Sequence, residues 1–131
     1  MLTERLVAAT NAHDLEALVA CFDPDYVLEM PAHPSRGFRG NAQVRKNWEQ
    51  FFAFIPDISV SVVRMVTDGD VEWSEQEMRG TRRDGSAHDM RGVFICGTRA
   101  DRIIWARFYI EPLDTTASTV NDTIRAATGP R

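Results

Sequence analysis

The chain has 131 residues, 44% of them hydrophobic and 26% charged, with 15 basic and 19 acidic side chains giving a net charge of -4. These proportions describe one globular domain and exclude a disordered, collagen-like or coiled-coil chain. The acidic balance argues against a nucleic-acid binder, and no apolar run approaches the ~20 residues of a membrane span. The first residues, Met1-Leu2-Thr3-Glu4-Arg5, lack the apolar stretch of a signal peptide. Two cysteines, Cys21 and Cys96, make neither a disulfide framework nor a metal cluster. A reducing cytoplasm is the expected compartment.

In chain order, Leu2–Asn11 reads as a short helix. Leu15, Leu18, Val19 and Phe22 then mark one apolar face of a second helical stretch, with Asp14 placed to cap it. Asp23-Pro24-Asp25 ends that helix, and Tyr26–Met30 reads as a short strand broken by Pro31. Pro31–Gly40 is a loop. Asn41 is the expected N-cap of a helix whose stripe is Val44, Trp48, Phe51, Phe52 and Ile55. Four strands follow, over Ile58–Val66, Val71–Arg82, His88–Thr98 and Arg102–Glu111. They are separated by turn signals at Asp68-Gly69, Arg83–Ser86 and Arg99-Ala100-Asp101. The polar tail, 115–131, contains a helical stretch near Ser118–Ala127 that stops at Gly129-Pro130 and could swing over a pocket mouth. The functional domain is expected over residues 1–114.

Helices followed by a meander of antiparallel strands define an α+β fold. A curved antiparallel sheet wrapped around N-terminal helices makes a cone, and its open mouth is a natural small-molecule pocket.

The stretches NAHDLEALVACFDPDYVLEMP, GFRGNAQVRKNWEQFF, FIPDISVSVVRMVTDGD and RIIWARFYIEP occur in an order and spacing that resemble the nuclear-transport-factor-2-like superfamily. Within it they are most similar to the SnoaL-like polyketide cyclase group, over about residues 3–113. The resemblance implies a cone-shaped cystatin-like barrel, a homodimer formed through the sheet face, and no cofactor or metal. The function it implies is cyclase-, isomerase- or dehydratase-type acid–base chemistry on an apolar polyketide-, terpenoid- or steroid-like compound. The alternative is a non-catalytic ligand-binding or dimerisation module.

Several positions depart from that family's chemistry. The general-base position reads Met30, the oxyanion tyrosine falls on Leu6, and the proton-donating aspartate falls near Gly92 or Val93. A thioether or an alkyl chain cannot take a proton from carbon. The acid of the last strand is replaced by Phe108, flanked by Arg107, Tyr109 and Glu111, and Val71–Arg82 contains no Arg-x-Asp pair. Alternation puts Ile104, Ala106, Phe108 and Ile110 on one face. Glu111 then lies outside, as an ion-pair partner of Arg107.

Two registers remain open for Val71–Arg82. The resemblance favours Ser74, Gln76 and Met78 inside, with Gln76 as a hydrogen-bond anchor. The other register sends Glu75 and Glu77 inward, where paired buried carboxylates could work as acid and base; on the outer face they would pair with arginines instead. His33, on the rim loop, is a candidate proton shuttle or a solvated loop residue. His88 with Asp89 is either an acid–base couple or an exposed pair. The expected ligand pocket comprises Met30, Trp48, Phe52, Gln76 and Phe108, with Trp48 and Phe52 also serving as core.

Overall fold

A computed structural model describes residues 1–129. Its elements are α1 (Leu2–Asn11), α2 (Leu15–Ala20), β1 (Phe22–Glu29), a 3-10 turn at Pro34–Arg36, β2 (Phe38–Arg39) and α3 (Asn41–Phe54), followed by β3 (Ser59–Asp68), β4 (Val71–Thr81), β5 (Ala87–Arg99), β6 (Arg102–Phe108), β7 (Glu111–Pro112) and α4 (Val120–Thr128). The fold is α+β. The seven strands form one curved sheet in the order β2-β1-β6-β5-β4-β3, with β7 paired to β5.

The expected meander is present as the antiparallel run β3–β4–β5–β6. Two corrections concern the sheet. It stays open, with β2 and β3 at its edges, and it is not antiparallel throughout: β1 runs parallel to β6. The long excursion through α3 and the meander returns the chain beside β1 in the same direction, which a tight hairpin could not do. The proline does not delay β1, which starts at Phe22. The β1–β6 register shifts between Phe22 and Val27, so Pro24 sits where no ladder bond is required.

Local chemistry accounts for the helix ends. Asp14 caps α2 as expected, its Oδ1 accepting from the Ala17 N–H at 3.0 Å. Asn41 is the first residue of α3 and not its cap; Gly40 holds the cap position at φ 95°. Glycine reaches that angle without a Cβ penalty, and the Gly40 N–H donates to the Tyr26 carbonyl at 2.6 Å. In the tail, Thr119 and Asp122 form a reciprocal capping box on α4. Pro130, part of the expected stop, lies outside the described residues.

Glu72 is buried on β4, where its Oε1 accepts from the Thr3 N–H at 2.8 Å and its Oε2 from the Leu2 N–H at 3.2 Å. Met1, the N-cap residue, supplies no side-chain cap. A carboxylate from a strand 70 residues away thus satisfies the first N–H groups of α1 and meets the positive end of its dipole. Glu72→Ala is expected to cost about 2 kcal/mol in urea unfolding, whereas Glu16→Ala, at an exposed surface pair, should leave the midpoint nearly unchanged.

The main core joins Leu18, Cys21, Phe22, Tyr26, Val44, Phe94, Cys96, Ile103, Ala106 and Ile110. A smaller one gathers Ile55, Ile58, Val60 and Met78. A bulge between Gly97 and Thr98 changes the parity of β6, so Ile103 is the fully buried residue in place of Ile104. Among the described residues, no helix is long and apolar enough to cross a membrane.

Candidate functional site

Between α1, α3 and the concave face of the sheet lies a cavity of about 640 Å³, within the usual size range of small-molecule sites. Its walls are mostly aliphatic and aromatic. No Asp or Glu is among its lining residues, and none of those residues comes from beyond Phe108. The tail helix α4 therefore contributes nothing to the wall.

The register of β4 is settled by burial. Glu72, Ser74, Gln76 and Met78 are buried on the concave side. Glu75 and Glu77 stand on the opposite face, Glu75 paired with Arg64 at 3.0 Å, and Glu77 with Arg91 at 3.0 Å and Arg79 at 3.3 Å. Arginines and water solvate both carboxylates there. The paired-acid arrangement inside the cone is thus excluded.

Met30, Trp48, Gln76 and Phe108 all line the cavity. Phe52 does not. It packs into the core, 5.6 Å from the Trp48 ring and stacked at 4.9 Å on His13. His33 bonds through Nε2 to Glu111 Oε1 at 2.8 Å and is not part of the wall. Glu111 therefore pairs with His33 and not with Arg107, whose partner is Glu29 at 3.5 Å.

Gln76 donates from Nε2 to the Ser74 hydroxyl at 2.9 Å, and that hydroxyl donates to the Phe94 carbonyl at 3.3 Å. The chain of bonds fixes the carboxamide, leaving its oxygen and its second N–H for a ligand. Tyr26 on β1 is 2% exposed and lines the same cavity. Its hydroxyl forms no hydrogen bond among the described residues, and burial pushes its pKa far above the phenol range, so it stays protonated.

His88 departs most from expectation. It is buried on the cavity wall and is not an exposed partner of Asp89, which pairs with Arg91 instead. Its Nδ1 faces the Arg82 Nη2 at 3.4 Å. A guanidinium has only donors, so Nδ1 accepts and the neutral ring carries its proton on Nε2. That Nε2 is buried without a hydrogen-bond partner. Burial lowers the His88 pKa, the Arg82 charge lowers it further, and Asp89 opposes both.

The sign of the pH effect follows. Below about pH 6.5 an unfolded histidine takes up a proton that native His88 refuses. Stability is therefore present above that pH and declines as pH falls towards the lower native pKa. His88→Asn should flatten the difference between urea midpoints measured at about pH 7.5 and about pH 5.5. An unchanged difference would show that His88 titrates as a solvated residue.

Sequence reasoning missed Tyr26, Arg36, Gln43, Asn47 and His88 on the wall. For two of them the signal was available: Tyr26 shares strand parity with Leu28, and His88 shares it with Met90 and Phe94. Buried Cys21 and Cys96 are free thiols, Cys96 with its pKa raised to about 11 by burial, so they are unreactive core residues. Among the described residues, no three His, Cys, Asp or Glu side chains gather as metal ligands.

A curved sheet closed over by helices around an apolar cavity places the molecule among the α+β cone proteins. The SnoaL-like domain family matches residues 3–106, and the chain belongs to that family. No curated protein matches the sequence. Among solved structures, the chain is similar to the candidate polyketide cyclase IdmH of Streptomyces antibioticus, at 24% identity and TM-score 0.72, covering 84% of this chain and 89% of that one. An LEH-like epoxide hydrolase of Mycobacterium tuberculosis shares 16% identity at TM-score 0.73, covering 84% and 80%. Another protein of Mycobacterium tuberculosis, in complex with estradiol-17β-hemisuccinate, shares 20% identity at TM-score 0.72, covering 82% and 89%. At these identities the likeness concerns the fold, which hosts several activities.

Proposed function

We propose that this chain binds one small, mostly apolar organic molecule of polyketide, terpenoid or steroid size inside the cone, with residues 1–114 as the functional unit. The observation that carries this reading is the acid-free cavity of about 640 Å³, with Gln76 and Tyr26 offering hydrogen bonds from otherwise apolar walls. Such a site buries a hydrophobic body and orients it through a few polar groups. The fold neighbour that holds a steroid hemisuccinate supports the size of the guest.

The unpaired Nε2 of His88 favours a second reading, in which the bound molecule also undergoes cofactor-independent isomerisation, cyclisation or dehydration. The familiar acid positions hold Met30 and Phe108, so proton transfer inside the cone would run through the His88 imidazole. Val63, Val66 and Trp73 are exposed apolar residues of β3 and β4, and they support a homodimer formed through the sheet face, which sedimentation would detect.

The test is thermal unfolding against a panel of anthraquinone, terpenoid and steroid probes. A ligand at 100 times its Kd stabilises the fold by about 2.7 kcal/mol, so the midpoint should rise by several degrees for at least one class. No rise with any class at millimolar concentration would overturn the reading. Incubation of a stabilising probe, followed by chromatography, separates the two readings: a new isomer that disappears with His88→Phe marks an enzyme, and an unchanged probe marks a binder.

A further inference from the structure

Several of the polar groups that line the cavity are hydrogen-bond donors. Tyr26, a buried residue, brings a hydroxyl with no protein partner among the described residues, held in its protonated form. Arg36, on the 3-10 turn after β1, is an exposed residue that lines the cavity, and no ion pair engages it among the described residues. The rim acids that might have neutralised it are committed elsewhere, Glu29 to Arg107 and Glu111 to His33.

Helix α3 starts next to the backbone of β1. The Gly40 N–H is bonded at 2.6 Å to the backbone carbonyl of Tyr26, so α3 begins beside that residue, and Phe38 packs 6.0 Å from the Tyr26 ring. The first turn of α3 has neither a side-chain cap nor an acidic residue. Its dipole places partial positive potential at that end. Gln43 and Asn47, one turn apart, also line the cavity. The Gln43 Nε2 donates to the Asn47 Oδ1 at 2.8 Å, which consumes the asparagine's acceptor and leaves its Nδ2 hydrogens free.

A tyrosine hydroxyl, an arginine and a carboxamide N–H thus share one cavity with no carboxylate in its wall. We propose that these donors bind an ionised oxygen, so that the natural ligand is an apolar acid: a hydrophobic body bearing a carboxylate, enolate or phenolate. The inference rests on the small-molecule reading above and narrows it from any apolar guest to an anionic one. In an otherwise apolar cavity, an ammonium would meet Arg36 and the helix dipole with no counter-charge, whereas an oxyanion would meet donors already in place. A charge-assisted hydrogen bond there is roughly twice as strong as a neutral one.

The experiment uses three probes on one skeleton: 2-naphthylacetate, 2-naphthylacetamide and 2-(2-naphthyl)ethylamine. Their dissociation constants are measured by calorimetry at low salt with the full chain. The acetate is expected to bind about tenfold more tightly than the amide, the scale of one hydrogen bond to a charged group, and the amine more weakly than the amide. In Arg36→Gln, an exposed change that leaves the core untouched, acetate should lose several times more affinity than the amide, so that the preference for acetate largely disappears. Tyr26→Phe removes only the hydroxyl and should also reduce the preference. High salt should weaken the acetate selectively.

Equal binding of acetate and amide, or a preference that survives both variants, would overturn the inference while leaving the cavity reading intact. Tighter binding of the amine would overturn it in favour of a cation site. If none of the three probes binds while a neutral terpenoid or steroid probe does, the inference is overturned and the cavity reading stands; if no probe of any class binds, both fail.

Discussion

Gly92→Ala is expected to cost about 3 kcal/mol or more and to be the most damaging single-methyl change in the molecule. At Gly92, β5 stops pairing with β6 and starts pairing with β7, so the connection Tyr109–Ile110 lies across it. A Cβ at Gly92 would stand 2.1 Å from the Tyr109 carbonyl oxygen and 2.6 Å from the Ile110 Cα. Both are backbone atoms, and the Tyr109 N–H is tied to the Val93 carbonyl at 2.9 Å. Neither can retreat without breaking the ladder that curves the sheet. Gly69→Ala is the control. It sits in the β3–β4 turn at φ 57° with nothing within 4 Å of the added carbon, and its cost should be only the modest one of a left-handed alanine. Urea midpoints of the two variants measure the contrast; equal midpoints would contradict this account of the sheet.

The second large effect concerns the cavity itself. Val44 projects from α3 into the site and is 3% exposed. Val44→Trp places an indole in space that a bound guest must occupy. Any probe that raises the unfolding midpoint of the parent chain should bind this variant at least about tenfold more weakly, a loss above 1.4 kcal/mol. Overpacking against the core costs 1–3 kcal/mol in many proteins, so Leu28→Trp on the facing wall serves as a second variant. Leu28 is only partly buried and faces the same space. Two folded variants that both retain full affinity would place the guest outside the cone.

Much of the fold was legible because its signals are local. The Asp14 cap, the stripe of α3, the two-residue turn after Asp68 and the helical stretch of the tail each need only a few neighbouring residues. What stayed hidden depends on distant chain segments. The parallel β1–β6 pair joins segments about 80 residues apart, and alternation within a strand does not specify its neighbour. The parity change that buries Ile103 comes from an extra residue in β6, Ile104, set against the Gly97–Thr98 step of β5.

The site shows the same division. The inward positions of Met30 and Gln76 came from the family resemblance and those of Trp48 and Phe108 also from helix and strand periodicity, whereas Phe52 faces the core and His13 in place of the cavity. Glu75 and Glu77 drew attention as acids, but their fate depended on Arg64, Arg79 and Arg91 waiting on the outer face. His88 looked exposed beside Asp89 until Arg91 took that aspartate and Arg82 turned the imidazole ring. Partners supplied by neighbouring strands decide which titratable groups stay buried and unpaired.

The most direct test uses the methionines as reporters. Of the five in the chain, Met30, Met78 and Met90 line the cavity, and Met1 and Met65 do not. With methyl-labelled methionine, the five resonances can be followed by NMR during titration with 2-naphthylacetate. The account predicts that the Met30, Met78 and Met90 methyls shift together along one saturating curve while Met1 and Met65 stay in place. Saturating shifts confined to Met1 or Met65, or a saturable binding signal with all three cavity methyls unmoved, would contradict the claim that the interior of the cone is the binding site.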